Sequence, residues 1–278
     1  APAPRVDLHM HSTASDGTLT PTELVARAAR VGIQVLALTD HDTLDGIAEA
    51  QATAAELGLT LIPGVEISVT WGGRTLHILG LGLDPTAPVL NAGLLGVREY
   101  RDWRAKEIGL RLGAKGIAGA YAGALALAAD ARFVGRTHFA RFLVQQGYAA
   151  TVRDVFKRYL VKGKPGHVTG DWASLEEALG WIRAAGGQAV IAHPARYSLT
   201  GTKMRHLIGE FRELGGVGIE VISGSHSRDE AFVYAQRARD ASLLASAGSD
   251  YHGPEHPYME LGRLPNLPRG CTPIWAEW

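Results

Sequence analysis

Short apolar runs alternate with amphipathic stretches along this chain, and the runs break off at histidines and carboxylates. Residues 5–9 read as a short buried strand. Residues 35–39 are an unbroken apolar run, the pattern of a parallel strand covered on both faces. Residues 60–70, interrupted by Pro63-Gly64, and 74–79 read as two more strands joined by Gly72-Gly73, a two-residue hairpin turn. Strand patterns return at 188–192, 218–222 and 243–247. Helices fall between them. Thr20 as N-cap, Pro21 at the first helical position and Glu23 closing a capping box open a helix that Gly32 ends. A second covers 44–57 and stops at Gly58. Ser174 with Glu177 is another capping box, opening a helix that ends at Gly186-Gly187, and helices follow at 203–214 and 228–240. About seven mostly parallel strands separated by helices predict an α/β barrel or doubly wound sheet.

Between residues 84 and 167 the strand signals vanish. Residues 98–112 and 151–159 look helical, and 118–129 are rich in Ala and Gly. The expected organisation is a catalytic barrel of residues 1–83 and 168–278, with residues 84–167 inserted as a helical cap. A chain of 278 residues suits one large domain with such an insertion. Lys plus Arg number 28 and Asp plus Glu 28, so the net charge is zero, which argues against strong non-specific binding to nucleic acid or membrane. No stretch is long enough to span a bilayer, residues 1–5 lack the core of a signal peptide, and the single Cys271 cannot form an internal disulfide. These features predict a cytoplasmic protein and point to no protein partner.

The chemistry is carried by histidine and carboxylate clusters at strand ends: His9-Met10-His11 with Asp16, Asp40-His41-Asp42, Glu66, His77, His193-Pro194, and Asp250-Tyr251-His252. In parallel α/β folds, sites form at the carboxyl ends of strands. Residues two apart on a strand share a face, so His9 and His11 can grip one ion together, as can Asp250 and His252. With Gly72-Gly73 as the turn, Ser68 faces His77, and Glu66 shares their face. A lone strand-end histidine is ordinarily a hydrogen-bonded core residue, Asp40 alone a helix cap, Asp16-Gly17 alone a turn. Six such clusters on successive strands are better explained by a multinuclear metal centre, because burying that many imidazoles and carboxylates unpaired is costly. His206 and His256 read as surface residues. His138, His167 and His226 are candidates for the pocket wall.

These segments resemble the motifs of the PHP (polymerase and histidinol phosphatase) family, which is itself similar to the amidohydrolases. The resemblance runs over residues 6–252 and fills all nine of the family's usual ligand positions. It implies a distorted seven-stranded β/α barrel in which the helical insertion is the variable part. It also implies three divalent metal ions, with Mn the leading choice and Fe or Zn compatible with the same donors. Carried over by position, His9, His11, Glu66 and Asp250 hold the first. Glu66 bridges to a second, also bound by His77 and His193. Asp16, His41 and His252 hold the third. The insertion and the segment Gly135-Arg136-Thr137-His138-Phe139-Ala140-Arg141 narrow the resemblance to small phosphoesterases of the family.

The resemblance thus implies an enzyme that hydrolyses phosphate esters, with His193 and Asp250 at its catalytic centre and a metal-activated water attacking phosphorus in line. His226 is a candidate proton donor to the leaving oxygen. The expected reaction removes the 3′-phosphate of a nucleoside 3′,5′-bisphosphate; 5′-to-3′ trimming of short RNA, histidinol phosphate hydrolysis and a non-catalytic polymerase-accessory module are the alternatives. A second phosphate needs cations. Arg196, close behind His193-Pro194, leads, followed by Arg136, with His138 and Lys164 also expected to bind substrate and Arg141 and Lys162 as further candidates. Tyr197 and Trp172 are candidates to stack on a base, with core packing the alternative for Trp172. His193→Ala is expected to abolish turnover while leaving the chain folded; an active variant with a native circular dichroism spectrum would remove His193 from the metal site.

Overall fold

The structure, a computed structural model, describes residues 3–255 and 259–278; His256 lies outside them. Seven strands form one sheet in chain order: β1 (Val6–Asp7), β2 (Val35–Leu38), β3 (Thr60–Trp71), β4 (Arg74–Leu81), β5 (Gln188–Ile191), β6 (Gly218–Ser223) and β7 (Leu244–Gly248). β1, β2 and β3 pair in parallel, β4 runs antiparallel between β3 and β5, and β5, β6 and β7 are parallel again. The sheet curls into a nearly closed barrel. Beyond β1 the chain runs beside the end of β7: the Leu8 N–H donates to the Ala247 carbonyl (3.0 Å), that of Asp250 to His9 (2.8 Å) and that of His11 to Tyr251 (2.9 Å). The β3–β4 turn has Gly72 and Gly73 at φ 55° and 73°, as a primed two-residue turn requires, and it sets Ser68 opposite His77.

The helices α1 (Pro21–Arg30) and α2 (Ile47–Leu57) flank the first strands. The insertion carries α3 (Pro88–Gly113), α4 (Ala120–Leu127), α5 (Arg136–Gln145) and α6 (Val152–Val155), the last continued by a wide π turn over 156–160. After it come α7 (Leu175–Ala184), α8 (Gly201–Glu213) and α9 (Arg228–Asp240). The Ser174–Glu177 capping box closes in both directions. At α1 only half of the predicted box forms: Thr20 Oγ1 accepts the Glu23 N–H, but the Glu23 carboxylate takes the Thr20 hydroxyl instead of its N–H.

Two differences from the sequence pattern lie in the insertion. The helix predicted from 98 begins at Pro88. Its first half puts Leu90, Leu94 and Val97 into the barrel core, and its second half puts Ala105, Ile108 and Leu112 into a separate apolar cluster of the insertion. Because the helix changes partner midway, its apolar positions make no single stripe. α5 was not legible either, since its N-cap is Gly135, which has no capping side chain. Among the described residues no helix is long and apolar enough to cross a membrane.

The insertion is seated on the barrel where α3 crosses α7. A Cβ on Gly93 would lie 2.3 Å from the Trp181 ring. Gly93→Ala is therefore expected to cost about 1–3 kcal/mol of stability in urea unfolding; an unchanged midpoint would mean that the two helices do not need this close approach.

Candidate active site

Six of the seven strands, all but β6, bring a residue to a single cluster at one rim of the barrel. His9 and His11 follow β1, His41 follows β2, Glu66 lies on β3, His77 on β4, His193 follows β5, and Asp250 and His252 follow β7; Asp16 comes from the loop before α1. His9 Nε2 and His11 Nε2 lie 2.9–3.2 Å from Glu66 Oε2 and Asp250 Oδ1. His77 Nδ1 and His193 Nε2 lie 3.0 and 3.1 Å from Glu66 Oε1 and 3.3 Å from each other. His252 Nε2 and His41 Nε2 approach Asp16 Oδ1 at 3.2 and 3.6 Å. The structure thus brings together all nine residues singled out as ligands. It also overlaps the groups: His11 Nδ1 comes within 3.8 Å of Asp16 Oδ1, and His41 Nδ1 within 3.3 Å of Glu66 Oε2.

These residues fit divalent cations. His9 Nε2, His11 Nδ1, His41 Nδ1, Asp16 Oδ1 and Glu66 Oε2 are buried without a hydrogen bond, and they lie in groups whose donor atoms sit within 4.8 Å of one another. Buried polar atoms are rarely left unpaired without an ion or water to serve them, and an imidazole–carboxylate set suits Mn, Fe or Zn. The imidazoles and carboxylates of the cluster also shift one another. Burial alone would push the His11 imidazolium down, but the Asp250 and Glu66 carboxylates outweigh it and raise His11 to about 10. Burial would likewise raise Asp16, Glu66 and Asp250; the surrounding imidazoles, His252 and His41 for Asp16 and His9 and His77 for Glu66, hold them well below the usual carboxylate range.

A tier of buried carboxylates aims the loops that carry this cluster. Asp40 accepts the Ser12 N–H and the hydroxyls of Ser12 and Ser15, each at 2.7 Å, and so pins the loop that presents Asp16. Asp7 accepts the N–H groups of Ser249 (2.9 Å) and Gly262 (3.0 Å). Asp42 accepts the Ser68 N–H and hydroxyl and pairs with Arg101. Asp42, His193 and Asp250 all have positive φ, 54°, 29° and 57°. Such backbone is strained in non-glycine residues and persists only where its surroundings enforce it.

The cluster opens into a cavity of about 400 Å³ that four arginines also line: Arg101, Arg104 and Arg136 come from the insertion and Arg196 from the barrel. Arg101 and Arg104 stack on Trp172, and Arg136 on Phe156. Arg101 is bonded to Asp42 and Arg196 to Asp250 (2.8 Å). Arg104 and Arg136 have no carboxylate partner among the described residues. Burial and neighbouring guanidiniums push them down to about 9 and about 10.

Arg101 and Arg104 were missed in the sequence, where they look like the solvated face of a charged helix; their one signal is the i, i+3 spacing that puts both on one side. Three expected substrate or proton-transfer residues are corrected. His226 engages the Val221 carbonyl through Nδ1 (3.0 Å) and accepts the Ala195 N–H at Nε2 (3.3 Å), away from the cavity wall. His138 accepts the Gly135 N–H and caps α5, and burial pushes it down to about 4, so it is neutral. Lys164 is exposed outside the cavity, as is Lys162. Arg141 reaches the Asp16 carbonyl (3.3 Å), and His167 the Leu160 carbonyl (3.4 Å). The Tyr197 hydroxyl bridges the His77 and Ala192 carbonyls, and Tyr197 is not among the residues lining the cavity. Trp172 does line the cavity, while His206 is exposed against Trp71.

Residues 7–162 match the model of the PHP domain. The chain is 51% identical over 272 residues to a 3′,5′-nucleoside bisphosphate phosphatase of Chromobacterium violaceum, covering 98% of this chain and 95% of that protein. It is 47% identical over 274 residues to a 5′-3′ exoribonuclease of Haemophilus influenzae, covering 99% of each. Among solved structures, an amidohydrolase from C. violaceum with bound sulfate and no metal superposes with a TM-score of 0.95 at 50% identity, over 98% of this chain and 95% of that one. A candidate metal-dependent phosphoesterase from Bifidobacterium adolescentis superposes with a TM-score of 0.82 at 28% identity, over 99% and 95%.

At about pH 8 the His11 imidazole of the metal-free protein is protonated, being below its pKa of about 10, whereas a coordinating ring nitrogen must be deprotonated. Adding Mn²⁺ or Zn²⁺ to chelator-treated protein in weak buffer is therefore expected to release protons and raise the melting temperature. Absence of both would contradict a cation site at this cluster.

Proposed function

This chain belongs to the PHP domain family and is a metal-dependent hydrolase of phosphate esters; from that premise we propose that it removes the 3′-phosphate of nucleoside 3′,5′-bisphosphates, leaving the nucleoside 5′-monophosphate. The observation that carries the reading is one cavity lined both by the imidazole–carboxylate cluster and by arginines. On the barrel side, three cations, with Mn the leading choice, would be held by His9, His11, Glu66 and Asp250, by Glu66, His77 and His193, and by Asp16, His41 and His252. When bound, such cations neutralise phosphoryl charge and acidify water. On the insertion side, Arg104 and Arg136 present guanidiniums with no carboxylate of their own to a second phosphate. A planar guanidinium offers parallel N–H donors to phosphate oxygens, and a bound dianion relieves the mutual repulsion of the two arginines. Arg101, fixed between Asp42 and Trp172, holds the wall in place. Arg196, expected from the sequence to lead at the second phosphate, is instead bonded to Asp250 of the cluster at 2.8 Å and so is assigned to the scissile phosphate. The named activity of the C. violaceum relative and the sulfate bound in the structure from that organism support the reading.

A second reading shares the same chemistry. A 3′-ester beside a 5′-phosphate is also the first linkage of a 5′-phosphorylated RNA, and a relative is named for that activity. The specific observation in its favour is a groove next to the cavity, sharing Met259 with it and lined by Phe232, Arg228 and Arg263, where a following nucleotide has room to lie.

Arg104→Ala and Arg136→Ala are each expected to raise KM for adenosine 3′,5′-bisphosphate by about 10- to 100-fold, the loss of one charge-assisted hydrogen-bonding group. KM for p-nitrophenyl phosphate, which has no second phosphate, should stay nearly unchanged. Equal effects on both substrates would mean that these arginines do not read a second phosphate.

A further inference from the structure

Glu220 is the one acidic residue of β6, all six of whose residues are buried, and it is fully buried itself. Its carboxylate faces His9 Nδ1 at 3.1 Å from Oε1 and 2.9 Å from Oε2. Oε1 also accepts the backbone N–H of His193 at 2.6 Å. One side chain therefore touches two residues of the metal-side cluster, each at an atom that does not face the cluster's centre. The fold makes room for it in two ways. The β6–β7 register shifts between Glu220 and Ile222, a local irregularity of the kind that re-aims side chains beside active sites. Across from it, Gly248 leaves the space open: a Cβ there would lie 2.2 Å from the His9 Cβ and 2.9 Å from Glu220 Oε2.

We propose that Glu220 is a positioning residue that presets two metal positions at once. Toward His9, the carboxylate has only lone pairs to offer, so the ring must keep a proton on Nδ1. That leaves the Nε2 lone pair free toward the atoms of Glu66 and Asp250, both 3.2 Å away. Outer carboxylates that take the second N–H of a ligand imidazole fix its tautomer and orientation in this way. Toward His193, the same carboxylate anchors the main chain where φ is 29°, and that strained geometry places His193 Nε2 beside Glu66 Oε1 and His77 Nδ1. An amide does both tasks less well, because it loses one of the two acceptor oxygens that His9 Nδ1 faces. In Glu220→Gln one of the two oxygens becomes an NH₂ group. If it faces His9, Nδ1 becomes the acceptor and the proton moves to Nε2, the atom that must ligate. If it faces His193, it opposes another N–H donor.

The inference rests on the metal reading of the cluster but not on the identity of the substrate, so its test reads metal and proton positions. Zinc affinity and stoichiometry would be measured on Glu220→Gln by competition with a chromophoric chelator, with Glu220→Asp as the charge-preserving control. Histidine nitrogen spectra of the zinc-loaded wild-type protein would be recorded alongside. The expected result is a Zn²⁺ affinity about 10- to 100-fold weaker in Glu220→Gln, partial recovery in Glu220→Asp, and wild-type His9 protonated at Nδ1 with Nε2 bound to zinc. Unchanged affinity and stoichiometry in a folded Glu220→Gln would overturn the proposal. So would a wild-type His9 carrying its proton on Nε2, a result that holds even if no variant folds. Normal zinc affinity in the wild type without phosphatase activity would count against the substrate reading and leave this one standing.

Discussion

The structure depends on a single buried carboxylate. Glu66, fully enclosed on β3, has five imidazoles within 3.3 Å: His77 and His193 on Oε1, and His9, His11 and His41 on Oε2. A charged carboxylate alone in an apolar barrel would cost several kcal/mol. It is tolerable here because four other strand ends deliver positive or cation-binding partners to it. The near closure of the sheet through residues 8–11 and 247–251 is what brings the first and last of these strands to the same point. The antiparallel β4 is equally necessary, since it places His77 on the rim where its parallel neighbours end.

Around that centre the molecule lines one cavity with charges of opposite sign and pairs only some of them, Arg196 with Asp250 and Arg101 with Asp42. The carboxylates of the barrel are occupied by imidazoles, and the tier of Asp7, Asp40, Asp42 and Glu220 is occupied by backbone N–H groups, hydroxyls, His9 and Arg101. Arg104 and Arg136 are held by stacking on Trp172 and Phe156 and have no salt bridge among the described residues. Neither has a carboxylate of its own, which under the proposed function leaves its charge for a phosphate. Under the proposed function, cations on the barrel side make both walls positive, which suits a substrate with two phosphates better than one. The strain at Asp42, His193 and Asp250 is concentrated where these charges are aimed, as expected of pre-organised sites.

Much of the barrel was legible because local and tertiary signals agree there. The apolar run of β2, the Gly72-Gly73 turn and the Ser174–Glu177 box each dictate their own structure, and the histidines at the strand ends are rare enough to stand out. The insertion was less legible for a physical reason. The burial of Arg101 and Arg104 is decided by Phe133 and Trp172, far along the chain, so nothing local separates them from Arg98 or Lys106. α5 starts at a glycine, with His138 capping it from inside the helix. That placement turned an apparent pocket residue into a structural one. His226 misled for the same reason, since both of its nitrogens are taken by backbone groups that only the folded chain brings near. Glu220 was legible in principle: an acid in an otherwise apolar strand pattern needs a partner.

The central claim is that one cavity reads two phosphates and hydrolyses one. The most direct measurement is phosphate release by the Mn-loaded protein from adenosine 3′,5′-bisphosphate, 3′-AMP, AMP and histidinol phosphate, side by side. The account predicts rapid release of one equivalent from the bisphosphate, stopping at AMP, with 3′-AMP much slower because the arginine wall is left empty. Equal rates on 3′-AMP and the bisphosphate, or release from histidinol phosphate alone, would contradict it.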